Sequence, residues 1–127
     1  MLAVIDTNIL VSALWTDKGN PARIVELALN RRITPCYDCR ILKEYEAVLS
    51  RPRFNFAKWK IEYLLEQIEH EGMSVIAQPI DISFADESDK KFYEAAKQCG
   101  AALITGNLKH FPAEKWIMSP ADFLAGM

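Results

Sequence analysis

The chain has 127 residues, with 15 Lys and Arg against 17 Asp and Glu. Its formal charge of −2 excludes nucleic-acid binding driven by whole-molecule charge and leaves room only for a local basic patch. That length can bury about two thirds of the unfolded surface, enough for one domain over residues 1–127 without a disulfide staple, and no apolar run approaches the roughly 18 residues of a membrane span. Three cysteines, an odd number, and an N-terminus without a basic lead, a long apolar centre or a small-residue cleavage site predict a cytoplasmic protein.

Leu2, Ala3, Val4 and Ile5 are too few for a helix and too continuously apolar for a half-exposed strand, so they predict the central strand of a parallel sheet. Asp6, Thr7 and Asn8 follow at its carboxyl edge. Asn20-Pro21 offers an N-cap and a first helical position, and Ile24, Val25, Leu27, Ala28 and Leu29 give that helix an apolar side before Arg31-Arg32. A second strand is expected at Ile33–Cys36. Asp38 can cap a helix in which Ile41, Leu42, Tyr45, Val48 and Leu49 share one face and which stops before Pro52. The next helix, from about Ala57 to Glu71, carries Ile61, Leu64, Leu65 and Ile68 at helical spacing and ends at Gly72. Met73–Ala77 reads as a strand. Asp86 or Ser88 can cap a helix over Asp89–Cys99 that Gly100 closes, with Phe92, Ala95, Ala96 and Cys99 inward. Ala101–Thr105 is a buried strand, Trp116–Met118 a short one, and Ser119-Pro120 opens a last helix. This alternation, without repeats or linkers, predicts an α/β domain with a parallel sheet covered by helices.

Open parallel sheets bind ligands at the carboxyl ends of their strands. Asp6 after strand one, Asn107 after the strand at Ala101–Thr105, and Asp89 at the head of the helix before that strand could therefore gather at one edge. Glu44 and Glu46 flank opposite borders of the apolar arc of their helix, and helical phase alone leaves both open. Cys36-Tyr37-Asp38-Cys39 has the spacing of a redox pair or half a zinc site. The other half is missing: Cys99 is isolated and His70 and His110 lack ligand spacing, so small structural residues are expected there. Arg51 to Lys60 mixes cations with aromatics as phosphate and base contacts require, making Arg51, Arg53, Lys58 and Lys60 candidate RNA contacts. Phe54, Phe56 and Trp59 could equally pack a helix–loop junction beneath merely solvated cations. Arg31, Arg32, Arg40, Lys43 and Lys109 are weaker candidates of the same kind, and His110 stays outside the catalytic set.

Four segments in register carry a family resemblance. They are Val4-Ile5-Asp6-Thr7-Asn8-Ile9-Leu10; Leu42-Lys43-Glu44-Tyr45 running to Leu49-Ser50-Arg51-Pro52-Arg53-Phe54; Asp86-Glu87-Ser88-Asp89-Lys90-Lys91-Phe92; and Thr105-Gly106-Asn107 running to His110-Phe111. Together they resemble the PIN-domain nucleases, and most nearly the toxin-like PIN proteins of prokaryotic toxin–antitoxin modules. The resemblance implies a three-layer α/β/α sandwich around a short, mainly parallel sheet, acting as a metal-dependent ribonuclease on single-stranded or structured RNA. It implies Asp6, Glu44 and Asp89 as catalytic metal ligands, choosing Glu44 over Glu46. Asn107 stands where many relatives carry a fourth acid, Asp86 could support the site from behind or through water, and Asn8 and Thr105 are the polar supports. A small cognate antitoxin and a homodimer are the partners it implies.

Physical chemistry fits that ligand set. Three carboxylates within about 4 Å of one another repel by roughly 4 kcal/mol per pair at an effective dielectric of 20, and a divalent cation offsets this. Hard oxygen donors without His or thiolate favour Mg²⁺ or Mn²⁺, one ion or two. An amide at Asn107 adds no charge and weakens a second position. Rival readings fit less well. The nucleophile turn of haloacid-dehalogenase-like phosphatases needs a second carboxylate where Asn8 stands, and a phosphoacceptor receiver domain needs its acidic pair upstream of the acceptor strand. A degenerate PIN fold that binds RNA or a partner without cutting is the alternative to a nuclease.

Overall fold

The computed structural model describes residues Met1–Met127. Five strands, β1 (Leu2–Ile5), β2 (Thr34–Tyr37), β3 (Met73–Ser74), β4 (Ala102–Ile104) and β5 (Ile117–Met118), form one sheet in the order β3-β2-β1-β4-β5, with every ladder parallel. β1 is central, as its unbroken apolar sequence requires, because both faces of a parallel strand are covered. Six helices connect and flank the strands: α1 (Thr7–Trp15), α2 (Asn20–Leu29), α3 (Cys39–Leu49), α4 (Lys58–Glu71), α5 (Lys90–Cys99) and α6 (Pro120–Ala125).

From β1 the chain moves outward to β2 and β3, then returns across β1 to β4. Helix α5 lies over β1, β2 and β4, while α1 to α4 pack on one another and α4 on β2; the right-handed crossover rule assigns these four to the opposite face. The sandwich is thus three layers deep. Its strand order reverses between β1 and β4, and that reversal opens a crevice outside their carboxyl ends. Every helix contributes to one cluster of 29 buried apolar residues, so the crevice is backed by a continuous core.

Local sequence explains most boundaries. Asp38 Oδ1 accepts from the Ile41 N–H at 3.0 Å and starts α3, and Ser119 Oγ accepts from the Asp122 N–H at 3.1 Å and starts α6. Gly100, at φ +64°, closes α5. Gly72 is required by space, since a Cβ there would collide with the carbonyl oxygens of Ile68 and Pro35.

Three features differ from the sequence reading. Helix α1 directly follows Asp6, in a stretch to which the sequence reading assigned no element. Its weak hydrophobic periodicity hides it, yet Ile9 and Leu10 are buried and α1 packs on α2 and α3. The strand expected over Met73–Ala77 is only Met73–Ser74, with one further bond from the Val75 N–H to the Tyr37 carbonyl at 2.8 Å. β3 is an edge strand whose partner ends at Tyr37, because Asp38 turns the chain into α3. Gly19 rather than Asn20 caps α2, and the other boundaries differ by a residue or two.

Candidate active site

Asp6 stands at the reversal point. Its N–H donates to the Ile104 carbonyl at 2.9 Å, holding β1 against β4 to its last residue, and its side chain is only 6% exposed. The Thr105 hydroxyl donates to Asp6 Oδ2 at 2.7 Å and accepts from the Asn107 N–H at 2.9 Å, which fixes the hydroxyl proton on the carboxylate. Across the same crevice, Asn8 Oδ1 accepts from the Gly106 N–H at 3.3 Å. The loops after β1 and β4 are therefore tied together by Asn8 and Thr105.

Tyr45 sets the phase of α3. It is buried, and its hydroxyl donates to the carbonyl of Ile5 at the end of β1. The preceding residue, Glu44, is thereby turned to the crevice, where it accepts from the Thr7 hydroxyl and lies 2.7 Å from Lys91 Nζ. Glu46 points elsewhere, into a groove between α3 and α4 with Lys58, Glu62 and Glu66.

Asp89 closes the short 3-10 turn before α5. Its Oδ2 is buried and accepts no hydrogen bond; His110 Nδ1 lies 3.3 Å away, within ion-pair reach but outside hydrogen-bond geometry. Asp86 is exposed and caps the same turn, accepting from the N–H and hydroxyl of Ser88 at 2.9 and 2.7 Å. Those bonds hold its carboxyl below the usual range. Asn107 is exposed and lines an open cleft of about 480 Å³ with Asn8, Ser12, Asn20 and Ser119.

The three inward acids feel one another. Burial, with smaller contributions from the charges of Asp89 and Glu44, pushes Asp6 up to about 6 against the opposing pull of the Thr105 hydrogen bond. Asp89 is raised by burial, then by Asp86, with Glu44 adding to it while His110 counters. No three acidic, His or Cys side chains close into a ligand cage; Lys91 draws Glu44 aside with its own charge. The donor set nevertheless suits a hard divalent cation. Asp89 Oδ2 is a buried anionic oxygen that accepts no hydrogen bond, Asp6 is destabilised as an anion, and every inward donor is a carboxylate oxygen.

The structure therefore brings Asp6, Glu44 and Asp89 together with Asn8 and Thr105, and leaves Asp86 and Asn107 at the rim. Arg51, Arg53, Lys58 and Lys60 are all exposed and outside the crevice; Arg53 adjoins the aromatic cluster at the far end of α1, and Lys58 lines the groove between α3 and α4. Arg40 is engaged otherwise, reaching Asp38 at 2.6 Å and buried Glu94 at 2.9 Å. Cys36 is buried and its thiol meets Cys99 of α5 rather than Cys39, which is exposed; burial and that neighbour push Cys36 up to about 12. Sequence reasoning missed Thr7 and Lys91 as site residues and set His110 aside. Each lies within two or three residues of a chosen position, and that proximity was the available signal.

A PIN-domain family model matches residues 3–109, which contain Asp6, Glu44, Asp89, Asn8 and Thr105. The chain is 32% identical over 108 residues to an uncharacterized protein of Methanocaldococcus jannaschii, covering 82% of this chain and 69% of the relative. No solved structure gives a significant match. PIN domains are generally nucleases and typically use divalent metal ions, in keeping with acids gathered at the carboxyl ends of β1 and β4. On its sequence match and its parallel α/β fold, the chain belongs to the PIN-domain family.

Proposed function

We propose that this chain is an endoribonuclease that hydrolyses phosphodiester bonds of single-stranded or structured RNA with Mg²⁺ or Mn²⁺. The observation that carries the reading is the convergence of Asp6, Glu44 and Asp89, from three separate elements, on one crevice in which the only polar neighbour of the buried Asp89 Oδ2 is the His110 imidazole at 3.3 Å. Asp6, Glu44 and Asp89 hold the cation, and Asn107 is placed to add a neutral oxygen at the rim. When bound there, a divalent ion supplies charge neutralisation at the attacked phosphate and lowers the pKa of the hydrolytic water.

The chain's own groups supply the rest. Thr105 holds Asp6 in one rotamer through its hydroxyl. Lys91 neutralises Glu44 from α5, held there by a second bond to the Ser88 carbonyl. His110 keeps positive charge available beside Asp89 when protonated. Asn8 fixes the loop after β4 so that the rim of the crevice keeps its shape.

The toxin role, with a small antitoxin as partner and a homodimer as the assembled form, and a cytoplasmic location belong to the same proposal. They rest on the sequence resemblance. No helix is long and apolar enough to cross a membrane.

The test is cleavage of mixed-sequence single-stranded RNA by purified protein with Mn²⁺, Mg²⁺ or chelator, beside Asp6→Asn and Asp89→Asn. Metal-dependent cutting that both substitutions abolish supports the proposal. A folded protein that binds RNA without cutting under either metal is the degenerate PIN fold instead.

A further inference from the structure

At the end of α1 remote from Asp6, Trp15 meets Phe54 and Phe56. The two Phe rings stack at 5.2 Å with an interplanar angle of 11°, and Trp15 stands edge-on to both, at 6.1 and 6.0 Å and near 80°. Arg53 lies over the Phe54 ring at 4.9 Å. Trp15 is nevertheless 64% exposed. A large indole fixed in orientation by two aromatic neighbours and still open to solvent is a preorganised stacking surface, because its rotamer entropy is already spent.

We propose that Trp15, with Phe54, Phe56 and Arg53, is a base-stacking subsite for a single-stranded nucleic acid whose scissile bond lies at the carboxylates. Charge selects that occupant over an apolar partner. Lys58 is paired with Glu62 at 3.8 Å, but Arg51, Arg53 and Lys60 have no acidic partner, on a chain whose formal charge is −2. Stacking faces beside cations are what sequence-tolerant single-strand binding uses. Position links the subsite to the chemistry. Helix α1 starts beside Asp6 and ends at Trp15, a span of about 13 Å at 1.5 Å per residue. Helix α3 carries Glu44 in its middle and runs into the turn holding Phe54. Two helices thus lead from the carboxylates to the same aromatic cluster, and a strand following them would cross the crevice and lay a base on Trp15 a few nucleotides from the cleaved bond.

The inference deepens the nuclease proposal and rests on it for the identity of the strand as RNA. Its test is separate from cleavage. Binding of a short fluorescein-labelled single-stranded RNA is read by anisotropy in chelator with the Asp6→Asn protein, alone and with Trp15→Ala, Trp15→Phe or Arg53→Gln. We expect Trp15→Ala to weaken binding about tenfold and Trp15→Phe to recover most of it. Arg53→Gln should flatten the dependence on salt. Circular dichroism verifies folding, and the exposure of Trp15 makes its truncation tolerable. Unchanged affinity in Trp15→Ala overturns the subsite, as does equal affinity for the matching duplex. So does a self-associated protein that Trp15→Ala turns monomeric without altered RNA binding. Trp15-dependent binding by a wild-type protein that cuts nothing would sink the nuclease reading and keep the subsite; active cleavage with Trp15-independent binding would do the reverse.

Discussion

At the residue scale, Asp6 concentrates the tension of the site. A carboxylate with 6% exposure beside two others is costly as an anion, and burial, more than its neighbours, lifts it to about 6. The metal-free folded chain keeps a proton on Asp6 that the unfolded chain releases from about pH 4. Stability therefore falls as pH rises from about 4 to 6, and the full cost remains above that window. A shift of about two units corresponds to at most about 3 kcal/mol. Asp6→Asn in chelator should melt higher than wild type at about pH 7.5, with the advantage shrinking toward about pH 4; differential scanning calorimetry at both pH values checks this. A variant that melts no higher at neutral pH contradicts the burial account. Thr105→Val should raise the Asp6 pKa further, because the hydroxyl now favours the anion; carboxyl chemical shifts followed through a pH titration read it directly.

Glu44 shows how far single residues could be read. Helical phase allows Glu44 and Glu46 equally, and the family pattern favours Glu44. What turns Glu44 inward is Tyr45, whose hydroxyl reaches the Ile5 carbonyl 40 residues away. Such a bond leaves no periodic trace. Lys91 and His110 lie close in sequence to chosen positions, but their partners come from other elements and no periodicity marks them.

At the element scale, α3 is fixed from both ends of the site. Asp38 caps it, and Arg40 ties that cap to Glu94, a buried acid of α5 that also accepts from the Ile80 N–H at 2.9 Å. Arg40→Ala leaves two buried carboxylates without their cation. Because the Arg40 side chain is about half exposed, water offsets part of the loss, and we expect a cost of about 2–3 kcal/mol in urea denaturation. A loss within about 0.5 kcal/mol, the size of an ordinary surface change, would show that Arg40 is only a surface ion. The cap and its helix were legible because Asp before an apolar 3.6-residue pattern is a local signal. Helix α1 was not, because its apolar residues lie nearly all round it. The end of β3 was not, because it depends on where its partner strand stops.

At the scale of the whole molecule, placement of the site follows from topology. β1 is central and followed at once by an acid, and β4 lies beside it after the chain has crossed the sheet, so Asp6 and Thr105 meet although 99 positions separate them. The alternation of strands and helices made the parallel sheet readable, and the edge rule then pointed to Asp6, Asp89 and the segment around Asn107. Strand order was beyond the sequence pattern, and it decides that Thr105 rather than Asn107 touches Asp6. The far end of α1 shows the same limit. Phe54 and Phe56 do pack a helix–loop junction, but with Trp15, which no local pattern joined to them, and not with Trp59, which was expected there and is 66% exposed.

Mn²⁺-dependent cleavage of single-stranded RNA, measured side by side for wild type, Glu44→Gln and Glu46→Gln, bears most directly on the central claim. The two substitutions make the same chemical change two residues apart on one helix, and only Glu44 faces Asp6 and Asp89. The account predicts at least about a hundredfold loss for Glu44→Gln and near wild-type activity for Glu46→Gln. Equal losses, or full activity in both, would contradict a catalytic site built on Asp6, Glu44 and Asp89.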